Sequence, residues 1–596
     1  MNTTVASHKH AYLCAFVLLL CALATYPVAE IGINDDWSYV QSARILAQTG
    51  HIVYNGWATA MLGWQLYLGA LFAKLFGPSF TSIRASTLLV ALITAFLTQR
   101  TLVRAGISSL NATIGTFAIV LSPLFLPLAV SFMSDIDGLF CLVVCLYACL
   151  RALQAESDRA VLVWLTFAAL SNAIGGTVRQ IAWLGVLVMF PCAVWLLRRR
   201  PRVLAFGVPL YAASVLCVFA SLHWFTQQPY SIPESLIDGI PDLVQLENLA
   251  VHLSVLSLTF AMLLLPILVA FVPAISLRQR GLAALLAIGA VLSLAFIMHF
   301  FHYSIKYVAL PVDWSGNYVT SRGLVYVFGI KGPEPATLAT GLRIFISIAV
   351  LFALLCFFAF LLDRRRPSPG TLAYSGIAPI NSSSIPWRSL LALLVPFTCA
   401  YIGLILPRGL RGLLFDRYLL LLLPIGMILL LRLYQDRARP NLPLASSVLV
   451  ILFAGISIAG THDVFSMYRA QEAAIDELRA TGIPDTAIDG GFEVNGMTQI
   501  QRSGYINDPK MHMLAATRLT QPADFPINCQ PLWVWLTPAV VPGYALARDP
   551  TACGGLSRYA PVTYREWLGP RTGTVYIVNT VPARQAPLQK SSVTSE

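Results

Sequence analysis

The chain has 596 residues, 57% of them hydrophobic and only 11% charged, with a mean hydropathy of +0.70. Soluble domains carry about 25% charged residues, so this composition excludes a soluble enzyme and a disordered scaffold and leaves a polytopic membrane protein. The formal net charge of +12 does not mark a nucleic-acid binder, because the basic residues gather in short clusters at the ends of apolar runs: Arg198, Arg199, Arg200 and Arg202, then Arg278 and Arg280, then Arg364, Arg365 and Arg366. That is the footprint of cytoplasmic loops, not of a stripe that tracks phosphates.

In chain order, His8, Lys9 and His10 precede an apolar run from Ala11 to Ala29. A cleaved signal peptide has this outline, but no small-x-small site follows before Asp35 and a dozen further apolar runs come after, which favours an uncleaved first span. Runs of the roughly 17–24 residues that cross a bilayer follow near 86–104, 111–130, 137–153, 161–177, 181–197, 203–225, 249–273, 282–300, 343–362, 389–406, 419–433 and 442–460. The segment 59–76 is also apolar, although Lys74 and Gln65 suit a membrane-surface helix as well as a span. Leaving it out gives thirteen crossings and keeps the arginine clusters in the cytoplasm; counting it places them outside, against the positive-inside rule. The expected fold is an all-α polytopic membrane bundle of about thirteen transmembrane helices, N-terminus in and C-terminus out.

Composition changes after Gly460. Residues 461–596 carry 12 of the 28 acidic residues and no apolar run long enough to span. Alternating stretches from Leu532 to Leu536 and from Thr574 to Val578 predict strands, and Ser466 to Ala480 predicts one amphipathic helix. The division expected is a membrane domain over 1–460 and a small α+β extracytoplasmic domain over 461–596, ending in a frayed tail. Nine of the 11 cysteines fall in apolar runs, as packing residues do. The other two, Cys529 and Cys553, form a lone pair in the C-terminal region, where an oxidising compartment permits one disulfide.

Most acidic residues before 460 fall on the outer side of this topology, and they concentrate in two places. Asn34-Asp35-Asp36-Trp37-Ser38-Tyr39 follows the first span, and Ser131-Phe132-Met133-Ser134-Asp135-Ile136-Asp137-Gly138 joins the third and fourth. Adjacent carboxylates repel unless they bind a cation or one is held protonated; a plainer role is to cap the helix expected from about Trp37 to Gln48, and Ser134 or Asp135 similarly caps the fourth span. No acid falls mid-span, which counts against an ion-coupled transporter.

Asp35-Asp36-Trp37-Ser38-Tyr39 running to Thr49-Gly50, then Leu75-Phe76-Gly77-Pro78, Ile83-Arg84-Ala85-Ser86, Phe132-Met133-Ser134-Asp135 and Phe415-Asp416-Arg417-Tyr418-Leu419-Leu420 with Pro424 together resemble, in order, the GT-C superfamily of integral-membrane glycosyltransferases. The resemblance is to its protein O-mannosyltransferase and lipid A aminoarabinose-transferase branch and extends over 1–460. The first loop departs from that branch's Trp-x-His-Pro-Pro-Leu segment, reading Trp57-Ala58-Thr59-Ala60-Met61-Leu62 instead.

The resemblance implies transfer of a sugar from a polyprenyl-phosphate carrier to a protein, lipid or glycan acceptor outside the cytoplasmic membrane, in the periplasm. An inverting transfer needs a base for the acceptor hydroxyl, a role that falls to Asp35 by alignment. Asp36 is its expected partner in positioning acceptor or cation, and Asp135 the second site acid. A lipid phosphate needs cations at the interface: Arg179 and Arg417 with Tyr418, and, in the long outer loop, Lys306 and Arg322. Interfacial snorkelling competes for Arg179, and an ion pair with neighbouring Asp416 competes for Arg417. A divalent cation on Asp35, Asp36 and Asp135 stays open; no Walker loop or dinucleotide fingerprint points to a nucleotide cofactor. A lipid-linked glycan ligase or polymerase and a lipid-sugar flippase are the alternatives.

Overall fold

The computed structural model describes residues 2–57, 59–232, 239–300, 316–320, 322–325, 329–333, 338–363, 385–411, 414–508, 510–511, 528–569 and 571–580. The chain is mostly helical, with a small sheet near the C-terminus, and nine helices among the described residues are long and apolar enough to cross a membrane. Each of the thirteen apolar intervals overlaps helix, although the first helix stops at Ala24, five residues short of Ala29. Serines cap several N-termini: the Ser79 side chain accepts from Ser82 N ahead of Phe80–Arg104, and Ser157 does the same ahead of Asp158–Gly175.

Four of the intervals are interrupted, each beside a proline. The 111–130 run splits into Ser109–Val120 and Phe125–Ala129 around Pro123. The 181–197 run passes from a 3₁₀ turn, Gln180–Trp183, through a π turn, Gly185–Met189, to Phe190–Leu196 at Pro191. Leu243–Leu263 is followed by Leu265–Leu268 at Pro266, and the 3₁₀ segment Asp416–Leu422 becomes the α-helix Leu423–Arg437 at Pro424. Proline removes a donor and crowds the carbonyl one turn back, and apolar surroundings tolerate the freed groups only where neighbours bond them. Here Ser457 Oγ donates to Leu121 O at 2.8 Å and Asn172 Oδ1 accepts from Val186 N at 2.7 Å.

Between the helices Asn2–Ala24 and Phe80–Arg104, the helix Asp36–Thr49 starts one residue before the expected Trp37 and ends at Gly50, whose φ of +76° places it in the left-handed cap. The disputed 59–76 segment holds the helix Gly63–Phe76, 14 residues long. At 1.5 Å per residue it covers about 21 Å, short of a hydrocarbon core of about 30 Å.

The region after 460 corrects two expectations. Instead of a span followed by a separate amphipathic helix, one helix runs unbroken over 37 residues, Leu444–Ala480. Its length of about 55 Å exceeds the membrane core, so the same helix continues as a pillar of the C-terminal region. Gly460 is inside it: a Cβ there would stand 2.6 Å from Leu324 Cγ, so glycine admits the close approach of the hairpin β1 (Val319–Thr320) and β2 (Gly323–Leu324). The second correction is that 532–536 is a run of turns rather than a strand, because Pro531 and Pro538 interrupt ladder bonding on both sides. The sheet comprises β3 (Ile488–Asp489), β4 (Tyr544–Ala547), β5 (Val562–Arg565) and β6 (Thr572–Asn579) in the order β3-β4-β6-β5. Strand β6 contains the expected Thr574–Val578. Only β3 and β4 are parallel, the remaining pairs being antiparallel, and the sheet packs on the long helix. Cys529 and Cys553 are bridged across 24 residues.

Candidate active site

The site forms where the first loop, the start of Ser134–Gln154, the turn before Gln180 and the start of Asp416–Leu422 meet. Asn34 opens the loop with φ +56°, a left-handed conformation that Asn tolerates. Its Oδ1 accepts from Asp35 N at 3.0 Å and its Nδ2 donates to Asn317 Oδ1 at 2.9 Å. Buried Trp37 then anchors the helix, and Ser38 Oγ donates to Asn55 Oδ1 at 2.7 Å, bringing the returning segment of the loop alongside.

This geometry separates the two neighbouring carboxylates. Asp35, partly exposed, accepts from Trp57 Nε1 at 3.0 Å through Oδ1 and pairs with Arg417 Nη1 at 2.9 Å through Oδ2. Asp36, expected beside it in the site, turns the opposite way and has no exposed surface. Its Oδ2 lies 2.8 Å from Arg84 Nε and 3.2 Å from Phe132 N, while Oδ1 accepts from Arg84 Nη2 at 3.2 Å and Ile33 N at 2.6 Å. Arg84 also donates to Ala29 O and Ile31 O. The Asp36–Arg84 pair therefore ties the first loop to the helix Phe80–Arg104 and to the second acidic stretch. It does not reach the cleft.

Asp135 is fully buried and pairs with Arg179 through Oδ1; its Oδ2 and both oxygens of Asp137 have no hydrogen-bond partner among the described residues. Arg417 pairs with Asp35, 382 residues away in sequence, rather than with its neighbour. Asp416 instead accepts from the backbone of the β1 hairpin, at 2.7 Å from Val319 N and 3.1 Å from Tyr318 N. Tyr418 is the hub: the guanidiniums of Arg179, Arg408 and Arg417 stand 5.3, 5.1 and 5.8 Å from its ring centroid, within cation–π range. Its hydroxyl accepts from Arg408 Nη1 at 2.5 Å.

Arg179, Arg408, Arg417 and Tyr418 line a cleft of about 550 Å³, solvent-open space included, together with Tyr39, Ser134, Gln180 and Ile405. Three guanidiniums against the Asp35 and Asp135 carboxylates leave it positive. Burial, and then the nearby Asp35 carboxylate, raise the Tyr39 phenol above its usual range, so it lines the cleft as a neutral hydroxyl. Such a surface suits an anionic group with polar substituents. Asp36 is committed to Arg84, and among the described residues no group of three or more His, Cys, Asp or Glu is placed to hold a metal ion.

Of the expected site residues, Asp35, Asp135, Arg179, Arg417 and Tyr418 come together. Arg322 lines a different cleft, between the β1–β2 hairpin, the long helix and the sheet, and Lys306 lies outside the described residues. Sequence reasoning missed Arg408, which lies in the last turn of the helix Trp387–Leu410, because a basic residue at the end of an apolar run passes for an interfacial anchor. Its position nine residues before Arg417, between the same two apolar runs, is the signal that points to it. Trp57 was visible only as part of a departure from a motif.

No protein-family model matches the chain, and no curated protein matches it. In structure it is similar to solved GT-C glycosyltransferases. ArnT from Cupriavidus metallidurans bound to undecaprenyl phosphate is 15% identical, over 97% of this chain and 99% of that one, with a TM-score of 0.34. The archaeal oligosaccharyltransferase AglB from Archaeoglobus fulgidus, in complex with an inhibitory peptide and a dolichol-phosphate, is 14% identical over 79% of this chain and 58% of that one, at 0.36. The S. cerevisiae protein O-mannosyltransferase Pmt1-Pmt2 complex bound to the sugar donor is 13% identical over 37% of this chain and 33% of that one, at 0.31. Likenesses of this strength assign no activity.

Proposed function

We propose that this chain is a membrane glycosyltransferase that moves a sugar from a polyprenyl-phosphate-linked donor to an acceptor hydroxyl, with inversion, on the outer face of the cytoplasmic membrane. In this reading the chain crosses thirteen times, the N-terminus is cytoplasmic, and the cleft and the region after 460 face the periplasm. The observation that carries it is the Asp35 carboxylate one ion pair away from a cleft lined by Arg179, Arg408 and Arg417.

Asp35 is the base. The acceptor oxygen bonds to the anomeric carbon, the bond from that carbon to the phosphate oxygen breaks with its electrons staying on the phosphate, and the hydroxyl proton passes to Asp35 Oδ2. The departing phosphate gains a negative charge, so the guanidiniums bind it more tightly in the transition state than in the donor, which is what accelerates transfer. Arg417 links the two halves. A donor phosphate competes with Asp35 for this guanidinium, and drawing it away frees Oδ2 to take the proton. Asp135 holds Arg179 in place, and Asp36 with Arg84 fixes the loop.

The test compares envelope glycans by mass spectrometry in cells lacking the protein and complemented, at matched expression, with wild type or Asp35→Asn. The expected result is that one sugar vanishes from a glycoconjugate without the protein and that only wild type restores it. Full restoration by Asp35→Asn removes the base and favours a flippase or ligase.

A further inference from the structure

Asp35 needs both of its oxygens accounted for if one of them is to take a proton in a fixed direction. Arg417 holds Oδ2, and Oδ1 accepts the indole N–H of Trp57 at 3.0 Å. An indole N–H only donates; it cannot compete for the acceptor's proton, and the oxygen it occupies is not the one that Arg417 releases. The Trp57 bond therefore keeps the carboxylate plane oriented through the moment when Arg417 leaves.

What holds Trp57 comes from the far end of the chain. Its ring centroid lies 5.0 Å from Phe492 and 6.3 Å from Trp533, with Trp37 of the first loop at 5.5 Å on another side. Phe492 and Trp533 meet edge to face at 4.7 Å, closing the cage. Trp533 has φ +50°, a left-handed conformation that costs a bulky residue strain and is kept only where the surroundings enforce it. The residues just before Trp57 are fastened to the same region: Asn55 O accepts from Ile506 N at 2.8 Å, and Gly56, at φ +79°, lies so close to Met511 that a Cβ would stand 2.3 Å from its Sδ. Further along, Gly496 lets the helix Phe492–Ser503 close on Trp37, where a Cβ would come within 2.8 Å of the indole.

We infer that Trp57 is a positioning residue for the Asp35 carboxylate and that the C-terminal region, through Phe492 and Trp533, holds it in that role. The region after the last span is thus part of the transfer site. This rests on Asp35 being the base.

The experiment uses the full-length protein in the complemented cells. The rate at which the protein-dependent sugar appears on its glycoconjugate is measured at matched expression, and undecaprenyl phosphate binding is measured on the purified protein. Trp57→Phe keeps the ring in its cage and removes the N–H. It is expected to lower the transfer rate about tenfold while undecaprenyl phosphate binding and gel-filtration behaviour stay as in wild type. Trp533→Ala is expected to lower the rate likewise without touching Asp35, and Trp533→Phe to recover most of it. A wild-type rate in Trp57→Phe overturns the inference. So does a loss in which binding, folding and rate fall together, because that is a merely structural role. Asp35→Asn in the same series separates the two levels: if it transfers normally, the base assignment fails; if it is inactive while Trp57→Phe is fully active, only the positioning role fails.

Discussion

Replacing Asp36 with Ala is expected to cost the protein its fold rather than its chemistry. In the native chain the Asp36 carboxylate, with no exposed surface, accepts two bonds from Arg84 and one each from Ile33 N and Phe132 N. Alanine leaves the Arg84 side chain, 3% exposed, with the Ala29 and Ile31 carbonyls as its remaining hydrogen-bond acceptors among the described residues, and it strips two backbone donors of their acceptor. Breaking a buried pair from one side costs about 3–5 kcal/mol, and each orphaned donor belongs to a penalty of about 1–3 kcal/mol that overlaps with it. Against a total stability of about 5–15 kcal/mol, that is a large fraction. Fluorescence-detected gel filtration after stepwise heating in detergent reads the effect as an earlier loss of the monodisperse peak. Removing both charges, Asp36→Leu with Arg84→Met, is expected to recover much of the loss, since apolar replacement of a whole buried pair is often near neutral. The reasoning fails if Asp36→Ala heats like wild type, and it fails differently if the variant is stable yet inactive, which returns Asp36 to the chemistry.

Two further outcomes follow from the cleft and the disulfide. Arg408→Gln removes one of the three guanidiniums around Tyr418 and is expected to weaken undecaprenyl phosphate binding about 10-fold or more, the worth of one charge-assisted hydrogen bond; unchanged affinity in a titration shows that the phosphate lies elsewhere. Cys529 and Cys553, bridged in the native protein, are expected to resist alkylation until reduced, and Cys529→Ser with Cys553→Ser to lower stability by about 3 kcal/mol through the loosened unfolded chain; alkylation of the untreated protein at both positions refutes the bridge.

What the sequence disclosed depended on whether the deciding partner was local. Helix positions were legible because an apolar run must satisfy its own backbone as helix, and the clustered acids and arginines were legible because charge is expensive anywhere except at the ends of apolar runs. The continuity of Leu444–Ala480 was not. The change at Gly460 is one of hydropathy, which marks where polarity rises and not where a helix ends, and nothing in residues 461–480 breaks a helix. The alternation at 532–536 misled for a related reason: it places aromatics, Trp533 among them, against Phe492 rather than along a ladder.

The division of labour between Asp35 and Asp36 shows why a motif names a site before it names the residue that acts. The two carboxylates are adjacent and chemically alike, and each lies opposite an arginine, yet a helix turns by about 100° per residue. Starting the helix at Asp36 sends its side chain inward to Arg84 and leaves Asp35 at the rim, where Arg417 and Trp57 meet it. Adjacency in sequence suggested one shared task; the helix start gives them two. The partners that settle which is which come from the helix Phe80–Arg104 in one case and from the start of Asp416–Leu422 in the other, so the assignment needs the folded chain. By the same geometry a carboxylate with both oxygens on an arginine it cannot leave is a strut, and on the proposed function one whose arginine faces a positive cleft gives that arginine to a phosphate and acts as a base.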